Sequence, residues 1–470
     1  MRGLLTKVLL LNPQYLKEYI HSARWDTITI SGSHWYPIYL ACCTGLLEEH
    51  GHEAKLVDAE ADGLSFEKTL KRCKVFSPNL TVVYISRKGL NFYVKLSEKI
   101  KEFTGSRIVF VGPWCSMNPG EILGKSEEVD FLARGEFDFT VLEVADSLPE
   151  EKIKGLTRRE DGEIIHNEER LPVSSEQLDE FPFITDVYRR HLNIGNYRIG
   201  PQLYPYVDVF TGRGCPWGKC TFCLWPNTIN KGAPYRTRSM KNVIAELQFI
   251  RDNMPFVKEV FIQDDSLPAW RARELSLAII EDGLEVTWSC YSRADMDFET
   301  LKLMKQAGCR LLHVGYESSN LRILKNVRKG ISPGIMERFT EDANRAGLKI
   351  LADFIFGLPG ETQETIKATI EWAKRLDVDV YQFATPKAYP NTPFYEWLEE
   401  KGYLNGGEVN YPNLCYEELC GWVRRAMREC YFSWNFLKRM IAKNSDVEEI
   451  KRLVYHAKHV IPYSFWKDIT

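Results

Sequence analysis

Two series of alternating strand and helix signals, separated by a polar stretch, organise the 470-residue chain. The first series opens with residues 7–11 (KVLLL), a continuous apolar run of the kind that a strand buried on both faces shows. Further strands are predicted over 54–57, 80–86, 107–112 and 129–133, with helices over 38–49, 66–75 and 91–103. This alternation implies a parallel, doubly wound sheet of the Rossmann type, and such sheets take ligands beyond the carboxyl ends of their strands. Over 151–200 the rhythm breaks: RREDGEIIHNEE and LPVSSEQLDEFPF are rich in acidic residues and proline, and a surface linker is predicted. A second series starts near Tyr206, with strands predicted over 207–211, 259–263, 285–290, 311–315, 350–356 and 378–383, each followed by a helix. Such strand–helix units suggest a partial (β/α)6 barrel with its chemistry at the strand ends. The expected organisation is α/β: a doubly wound sheet over 1–150, a linker over 151–200, the partial barrel over 201–401 and a helical region over 402–470.

The 61 basic and 64 acidic residues leave a net charge of -3, which gives no reason to expect nucleic acid or an anionic surface as partner of the whole protein. No stretch approaches the roughly 18 apolar residues of a membrane-spanning helix, so an integral membrane protein is not expected. The N-terminal apolar run has no small-residue cleavage site and reads as a strand rather than a signal peptide. The location expected is cytoplasmic, where disulfides are rare, so the twelve cysteines ask for another explanation. Residues 423–443 carry Arg424, Arg425, Arg428, Lys438 and Arg439 among Trp, Phe and Met. A basic amphipathic helix of this kind either lies on a membrane or caps the barrel, and apolar helix faces are usually core.

Three of the cysteines stand together. Cys215, Cys220 and Cys223 form C-x4-C-x2-C in TGRGCPWGKCTFCLWP, directly after the first strand of the second series. Three thiolates on one loop suit a soft metal centre. Structural zinc needs a fourth ligand, usually from a second knuckle, and the next cysteine, Cys290, falls on another predicted strand. Plant-type ferredoxins share the spacing but add a fourth cysteine. The reading preferred over zinc or buried unligated thiols is an iron–sulfur cluster with one iron left open.

This arrangement resembles the radical S-adenosylmethionine (SAM) enzymes. Their usual spacing is C-x3-C-x2-C, so the extra residue here should bulge the loop around Trp217 and Gly218. The resemblance implies that the thiolates hold three irons of a 4Fe-4S cluster and that the fourth iron chelates SAM. One electron, from a small donor such as ferredoxin or flavodoxin, then releases a 5′-deoxyadenosyl radical that abstracts hydrogen. By the same resemblance Phe222 packs on adenine, and Asp264 or Asp265 meets the methionyl ammonium. Ser289 and Arg293, in WSCYSRAD, meet ribose or carboxylate, and Glu317 and Ser318, in GYES, meet ribose. Gly357 and Gly360, in GLPGET, lie beside adenine, where glycine permits close backbone approach.

A doubly wound sheet before such a barrel resembles the cobalamin-binding domain of class B radical SAM enzymes. The strand-end rule then gives Tyr15, Ser86, Gly112, Pro113, Trp114, Gly135 and Glu136 as cobalamin contacts. The D-x-H-x-x-G loop that brings histidine to cobalt in other cobalamin proteins is absent, and Tyr15, Trp25 and Trp114 are candidates to cover the lower face. The alternative is a scaffold without a corrin, since fold alone does not fix the ligand. The implied activity is methylation of an unactivated carbon by way of methylcobalamin. CTFCLWPNTINKGAPYRTRS and TWSC also resemble hopanoid cyclitol-ether synthases and related lipid-modifying enzymes, which need not use cobalamin. A non-catalytic iron–sulfur redox protein is the third reading. A protein side chain, a peptide, a lipid and a small metabolite all remain open as substrate. Cys415, Cys420 and Cys430 are the best candidates for an auxiliary cluster, against the usual role of helical cysteines as buried hydrophobes.

Overall fold

The computed structural model describes residues 5–17, 19–21, 27–28, 33–443 and 451. The chain divides into two compact units, one formed by residues 1–199 with 228–230 and the other by 200–227 with 231–470.

In the first unit, β1 (Lys7–Asn12), β2 (Glu53–Asp58), β3 (Leu80–Tyr84), β4 (Arg107–Val111) and β5 (Phe131–Ala133) form a parallel sheet in the order β2-β1-β3-β4-β5. Val8 to Leu11 are fully buried, as a central parallel strand covered on both faces requires. The strand order reverses between β1 and β3, and the crevice outside those strand ends is where doubly wound sheets bind ligands. Helix α1 (Ile38–Glu49) is buried along most of its length, and Tyr36 just before it stacks between Tyr188 and Tyr197, at centroid distances of 4.3 and 3.9 Å.

Residues 151–199, expected as a linker, fold as part of this unit. β6 (Leu156–Glu160) pairs antiparallel with β5 and β7 (Glu163–His166) antiparallel with β6, which extends the sheet to seven strands. The reason is local. Asp161 and Gly162 both take positive φ, 50° and 84°, the turn that a D-G pair supplies to a two-residue hairpin. Leu156 and Thr157 are buried, while the acidic residues that suggested a linker, Glu160 and Glu163, face solvent.

The second unit is a six-stranded parallel sheet in sequence order. It runs β8 (Tyr206–Val209), β9 (Glu259–Ile262), β10 (Trp288–Ser292), β11 (Cys309–Glu317), β12 (Lys349–Ile355) and β13 (Val380–Ala384). Leu311, Leu351 and Val380 share one core cluster, so alternate residues of β11 and β12, including Gly315 and Asp353, lie on the same face of the sheet, and the Glu317 carboxylate reaches in beside Gly315. Among the described residues β8 and β13 do not pair, which makes this a partial barrel. The tail closes the β13 edge. Helix α2 (Tyr416–Tyr431) buries Leu419, Val423, Ala426, Met427 and Cys430, and the Tyr431 hydroxyl both donates to the Tyr381 carbonyl at 2.7 Å and accepts its N–H at 3.0 Å. The apolar face of that helix is thus barrel core. No described helix is long and apolar enough to cross a membrane.

Among the described residues Trp288 is the largest fully buried side chain, 1% exposed, and its indole N–H donates to the Ala307 carbonyl at 2.8 Å. Trp288→Ala is expected to cost about 3–5 kcal/mol in equilibrium denaturation, by cavity formation and a stranded carbonyl.

Candidate active site at the barrel strand ends

The exit of β8 is fixed by a buried polar knot. Asp264, two residues past β9, accepts the Thr211 N–H and hydroxyl at 2.6 and 2.5 Å, the Gly212 N–H at 3.2 Å and the Tyr235 hydroxyl at 2.5 Å. Arg271, also buried, donates to the Thr211 hydroxyl at 3.3 Å, the Thr211 carbonyl at 3.1 Å and the Arg238 carbonyl at 2.6 Å. Four donors offset the cost of burying the Asp264 carboxyl, which burial nonetheless pushes above its ordinary value. The chain therefore leaves β8 in one direction and enters the cysteine loop with a defined geometry.

That loop is tied down along its length. The Asn227 amide donates to the Cys220 and Cys223 carbonyls at 3.2 and 2.6 Å. The Thr221 N–H donates to the Val327 carbonyl at 3.1 Å, and the Trp217 indole N–H to the Arg328 carbonyl at 2.8 Å. Trp217, at the predicted bulge, sits 4.6 Å beneath the Arg293 guanidinium. Gly330, at φ 74°, makes room for it: a Cβ there would lie 2.2 Å from the indole. Phe222 packs against the cluster of Ile323, Val327 and Leu358.

Glu317 and Lys329 form a buried ion pair at 2.7 Å. Glu317 takes a left-handed φ of 62° where the β11–β12 register shifts, so the bulge aims its carboxylate back toward Lys329. Burial works against the Lys329 ammonium, but Glu317 and then Cys220 outweigh it and hold it above the usual lysine range. Burial pushes the Cys220 and Cys223 thiols up, and the neighbouring thiols and the Asp265 carboxyl push Cys223 further. Uncompensated thiolates are disfavoured there. Asp353, in register with Gly315 and Gln382, has an oxygen with no hydrogen-bond partner, and burial followed by the nearby Glu317 charge raises its carboxyl well above the ordinary range.

Among the described residues, no three His, Cys, Asp or Glu side chains converge closely enough to hold a single metal ion. A tetrahedral ion about 2.3 Å from each sulfur needs such convergence. A cluster, in which each thiolate meets its own iron, makes no such demand. Cys415 and Cys430 bracket α2, whose rise of about 1.5 Å per residue separates them by about 22 Å. The three tail cysteines therefore do not share an auxiliary site.

Of the residues expected around SAM, Phe222, Asp265, Arg293 and Glu317 come together at the cysteine loop. Three others are engaged elsewhere. Asp264 is consumed by the knot described above. Ser289 lies near the start of β10, not its end, and accepts the Gln202 amide at 2.9 Å. Ser318 accepts the Asn320 N–H at 3.1 Å and so braces the turn into the following helix. Gly357, at φ 109°, approaches Leu419 and receives no side chain of its own for that reason. Gly360 packs near Asn326, whose amide holds the Pro359 carbonyl at 2.7 Å. Lys329, Trp217, Tyr235 and Asp353 were not singled out as contacts by the motifs. The signal for Lys329 was its place in the adjacent cation pair Arg328-Lys329, shortly after GYES.

At the strand ends of the first unit, the Ser86 hydroxyl meets the Tyr93 hydroxyl at 3.1 Å, and Tyr15 packs among Tyr19, Phe92 and Tyr93. Gly112, at φ 114°, passes so close to the Ile85 carbonyl that a Cβ would lie 3.0 Å from it. Pro113 then starts a short helix. The Trp114 indole N–H and the Asn118 amide are buried without hydrogen-bond partners, and the Arg87 guanidinium lies 5.5 Å over Trp114. Gly135 donates its N–H to Ser116 at 2.7 Å. Glu136 accepts the Val173 N–H at 2.7 Å. Trp25 lies outside the described residues.

Two outcomes follow. Gly330→Ala drives a methyl into Trp217 and is expected to lower iron retention in anaerobic preparations severalfold, with Trp217→Ala in the same chain restoring part of it. Burial raises the Glu361 carboxyl to about 7, against the lowering pull of Thr365 and the Gly357 N–H. The folded chain keeps a proton that the unfolded chain releases near pH 4.5, so this group's stabilising contribution is present below that pH and is lost as the pH climbs to about 7. Between pH 5 and 7 the native chain should lose denaturation stability relative to Glu361→Gln; parallel curves would contradict this.

Residues 209–373 match the model of the radical SAM superfamily. A protein of Pyrococcus horikoshii named uncharacterized methyltransferase PH0819 is 32% identical over 372 residues, covering 77% of this chain and 78% of its own. The cytidylyl-2-hydroxyethylphosphonate methyltransferase of Streptomyces wedmorensis is 25% identical, over 86% of this chain and 84% of its own. Among solved structures, the radical SAM methyltransferase TsrM of Kitasatospora setae superposes with a TM-score of 0.69 at 19% identity, over 85% of this chain and 75% of that one. The cobalamin-dependent radical enzyme OxsB superposes with a TM-score of 0.70 at 15% identity, over 98% of this chain and 72% of that one. With the cysteine loop at the end of the first barrel strand and a relative this similar over most of the chain, the protein belongs to the radical SAM superfamily of enzymes, which work with S-adenosylmethionine and a 4Fe-4S cluster.

Proposed function

We propose that this enzyme is a cobalamin-dependent methyltransferase that places a methyl group on an unactivated carbon. Support comes from relatives named as methyltransferases that align over most of the chain, and from a fold shared with TsrM and OxsB, each solved with cobalamin bound. The observation that carries the reading lies in the first unit. The strand-end segment from Gly112 to Asn118 combines a close-approach glycine with two buried donors, on Trp114 and Asn118, that the protein itself leaves unmet. Buried donors of this kind call for a polar ligand, and the amide-rich edge of a corrin is one.

In this reading Cys215, Cys220 and Cys223 hold three irons. Lys329 and Arg293 supply positive charge to a carboxylate, Asp265 supplies negative charge to an ammonium, and Phe222 offers an apolar face to adenine. Bound at these two places, the cluster with SAM would supply a hydrogen-abstracting radical and cobalamin a transferable methyl group. The chain's own work is to orient and to exclude water. The Asp264 knot and the Trp217 anchor fix the thiolates, and Tyr15 and Trp114 present aromatic surface to the corrin. The lipid-modifying alternative loses one of its motives, because the apolar face of α2 is spent on the barrel.

Anaerobic protein reconstituted with hydroxocobalamin is expected to retain corrin absorbance through gel filtration. With methyl-labelled SAM and a reductant, it should pass label to cobalamin and product. A Cys215/Cys220/Cys223 triple-alanine variant should lose about four irons per chain and all SAM cleavage. No retained corrin, or a product without the label, would contradict methyl transfer.

A further inference from the structure

The two faces of the barrel sheet meet different surroundings. Tyr316 and Phe354 face the helix Gln363–Arg375 and meet its Trp372 at ring-centroid distances of 5.8 and 6.1 Å. The opposite face opens toward the strand ends: Leu311, Leu351 and Val380 are buried, whereas Gly315, Asp353 and Gln382, further along the same strands, are half-buried. That face forms a recess leading up to the cysteine loop, because Ile355, the next residue of β12 on it, packs on the same apolar cluster as Phe222. Asp353 and Gln382 are paired in register on neighbouring strands. Neither makes a side-chain hydrogen bond among the described residues. Asp353 has no ion pair there either: Lys329 is paired with Glu317 at 2.7 Å and Arg293 with Asp295 at 3.0 Å. An ionised Asp353 therefore leaves the recess with one negative charge in excess. Burial, and then the Glu317 charge, push its carboxyl well above the ordinary range, as expected of an acid without a counterion. Deeper on the same face lies an aromatic group, with Phe261 5.1 Å from Tyr291 and 4.7 Å from His313.

We infer that this recess takes the methyl acceptor and that the acceptor carries a protonated amino group, held by the Asp353 carboxylate and the Gln382 carbonyl. The inference rests on the methyltransferase reading above and narrows its substrate to an amine. An ammonium brings three donors and no acceptor, together with the one positive charge that the recess lacks. A charge-assisted hydrogen bond to a carboxylate is about twice as strong as a neutral one, and the aromatic floor adds ring faces that attract a cation. A hydroxyl would meet the unpartnered oxygens but leave the charge unbalanced, and an anionic group would add to it. The position suits a substrate more than a structural role. Two residues of strand, about 6.6 Å, separate Asp353 from Ile355 at the level of Phe222. An amine anchored at Asp353 thus has its nearest carbons beside the cysteine loop, where the reading above places the radical.

The test uses the full-length enzyme loaded with its cluster, SAM and hydroxocobalamin, and three probes that share a carbon chain and differ in their heads: hexylamine, 1-hexanol and hexanoate. Binding is read without turnover, by saturation-transfer NMR titration. Hexylamine is expected to bind about tenfold more tightly than 1-hexanol, and hexanoate more weakly than either. Asp353→Asn should abolish that preference while leaving iron content, and the KM for SAM in uncoupled 5′-deoxyadenosine release, unchanged. Gln382→Leu should weaken hexylamine severalfold and serves as the second variant. Equal affinities for hexylamine and 1-hexanol, tighter binding of hexanoate, or an amine preference that survives both substitutions would overturn the inference. So would a raised KM for SAM in Asp353→Asn, which would assign the carboxyl to SAM. An amine preference in an enzyme that transferred no methyl group would support the pocket and sink only the methyltransferase reading.

Discussion

The position of one buried carboxylate governs the chemistry of this chain. Asp264 sits just past the second barrel strand and gathers donors from the end of the first strand and from Tyr235. A carboxyl without water is tolerated only where hydrogen bonds replace it, so the strand exit cannot drift without stranding the charge. Arg271 locks the same residue, Thr211, from the other side. Everything beyond this point, from Arg213 to the three cysteines, inherits its direction from that knot. A radical enzyme needs such rigidity, since a cluster whose thiolates wander would lose iron or take a fourth ligand.

The second constraint is electrostatic. Burial disfavours ionisation of Cys220 and Cys223, and the charges that oppose this at Cys220 are few and specific: Lys329 and Arg293. Glu317 holds the Lys329 ammonium in place by adopting a backbone conformation that few non-glycine residues take. The cost of that conformation is local, and it appears where two strands fall out of register, which fits a residue positioned for chemistry more than for packing. Deeper on the same face of the sheet, His313 is pushed down to about 3 by burial and Arg310 and is therefore neutral.

Much of this was legible in the residues. Alternation of apolar runs and helical stretches carries the architecture, because parallel strands buried on both faces cannot hide their composition. The cysteine spacing and the glycine-rich GLPGET mark the strand ends. What the residues concealed was orientation. Asp264 and Asp265 are neighbours with opposite fates, one turned into the knot and one toward Cys223, and nothing in QDD says which is which. Ser289 reads like a strand-end polar residue until the strand is seen to start at Trp288. The stretch 151–199 resembles a linker by composition, yet an Asp-Gly turn and two inward residues make it the sheet's outer hairpin. Lys329 was hidden because its partner, Glu317, is twelve residues away, and only the fold closes that distance.

The most direct measurement is electron paramagnetic resonance of the reduced, anaerobically prepared enzyme with and without SAM. If three thiolates hold an iron cube whose fourth iron is open to the sulfonium nucleotide, adding SAM should shift the g-values of a one-electron-reduced 4Fe-4S signal, and methyl- or carboxylate-labelled SAM should show hyperfine coupling to it. A signal indifferent to SAM, or protein that carries zinc with no reducible cluster, would contradict the assignment of the loop.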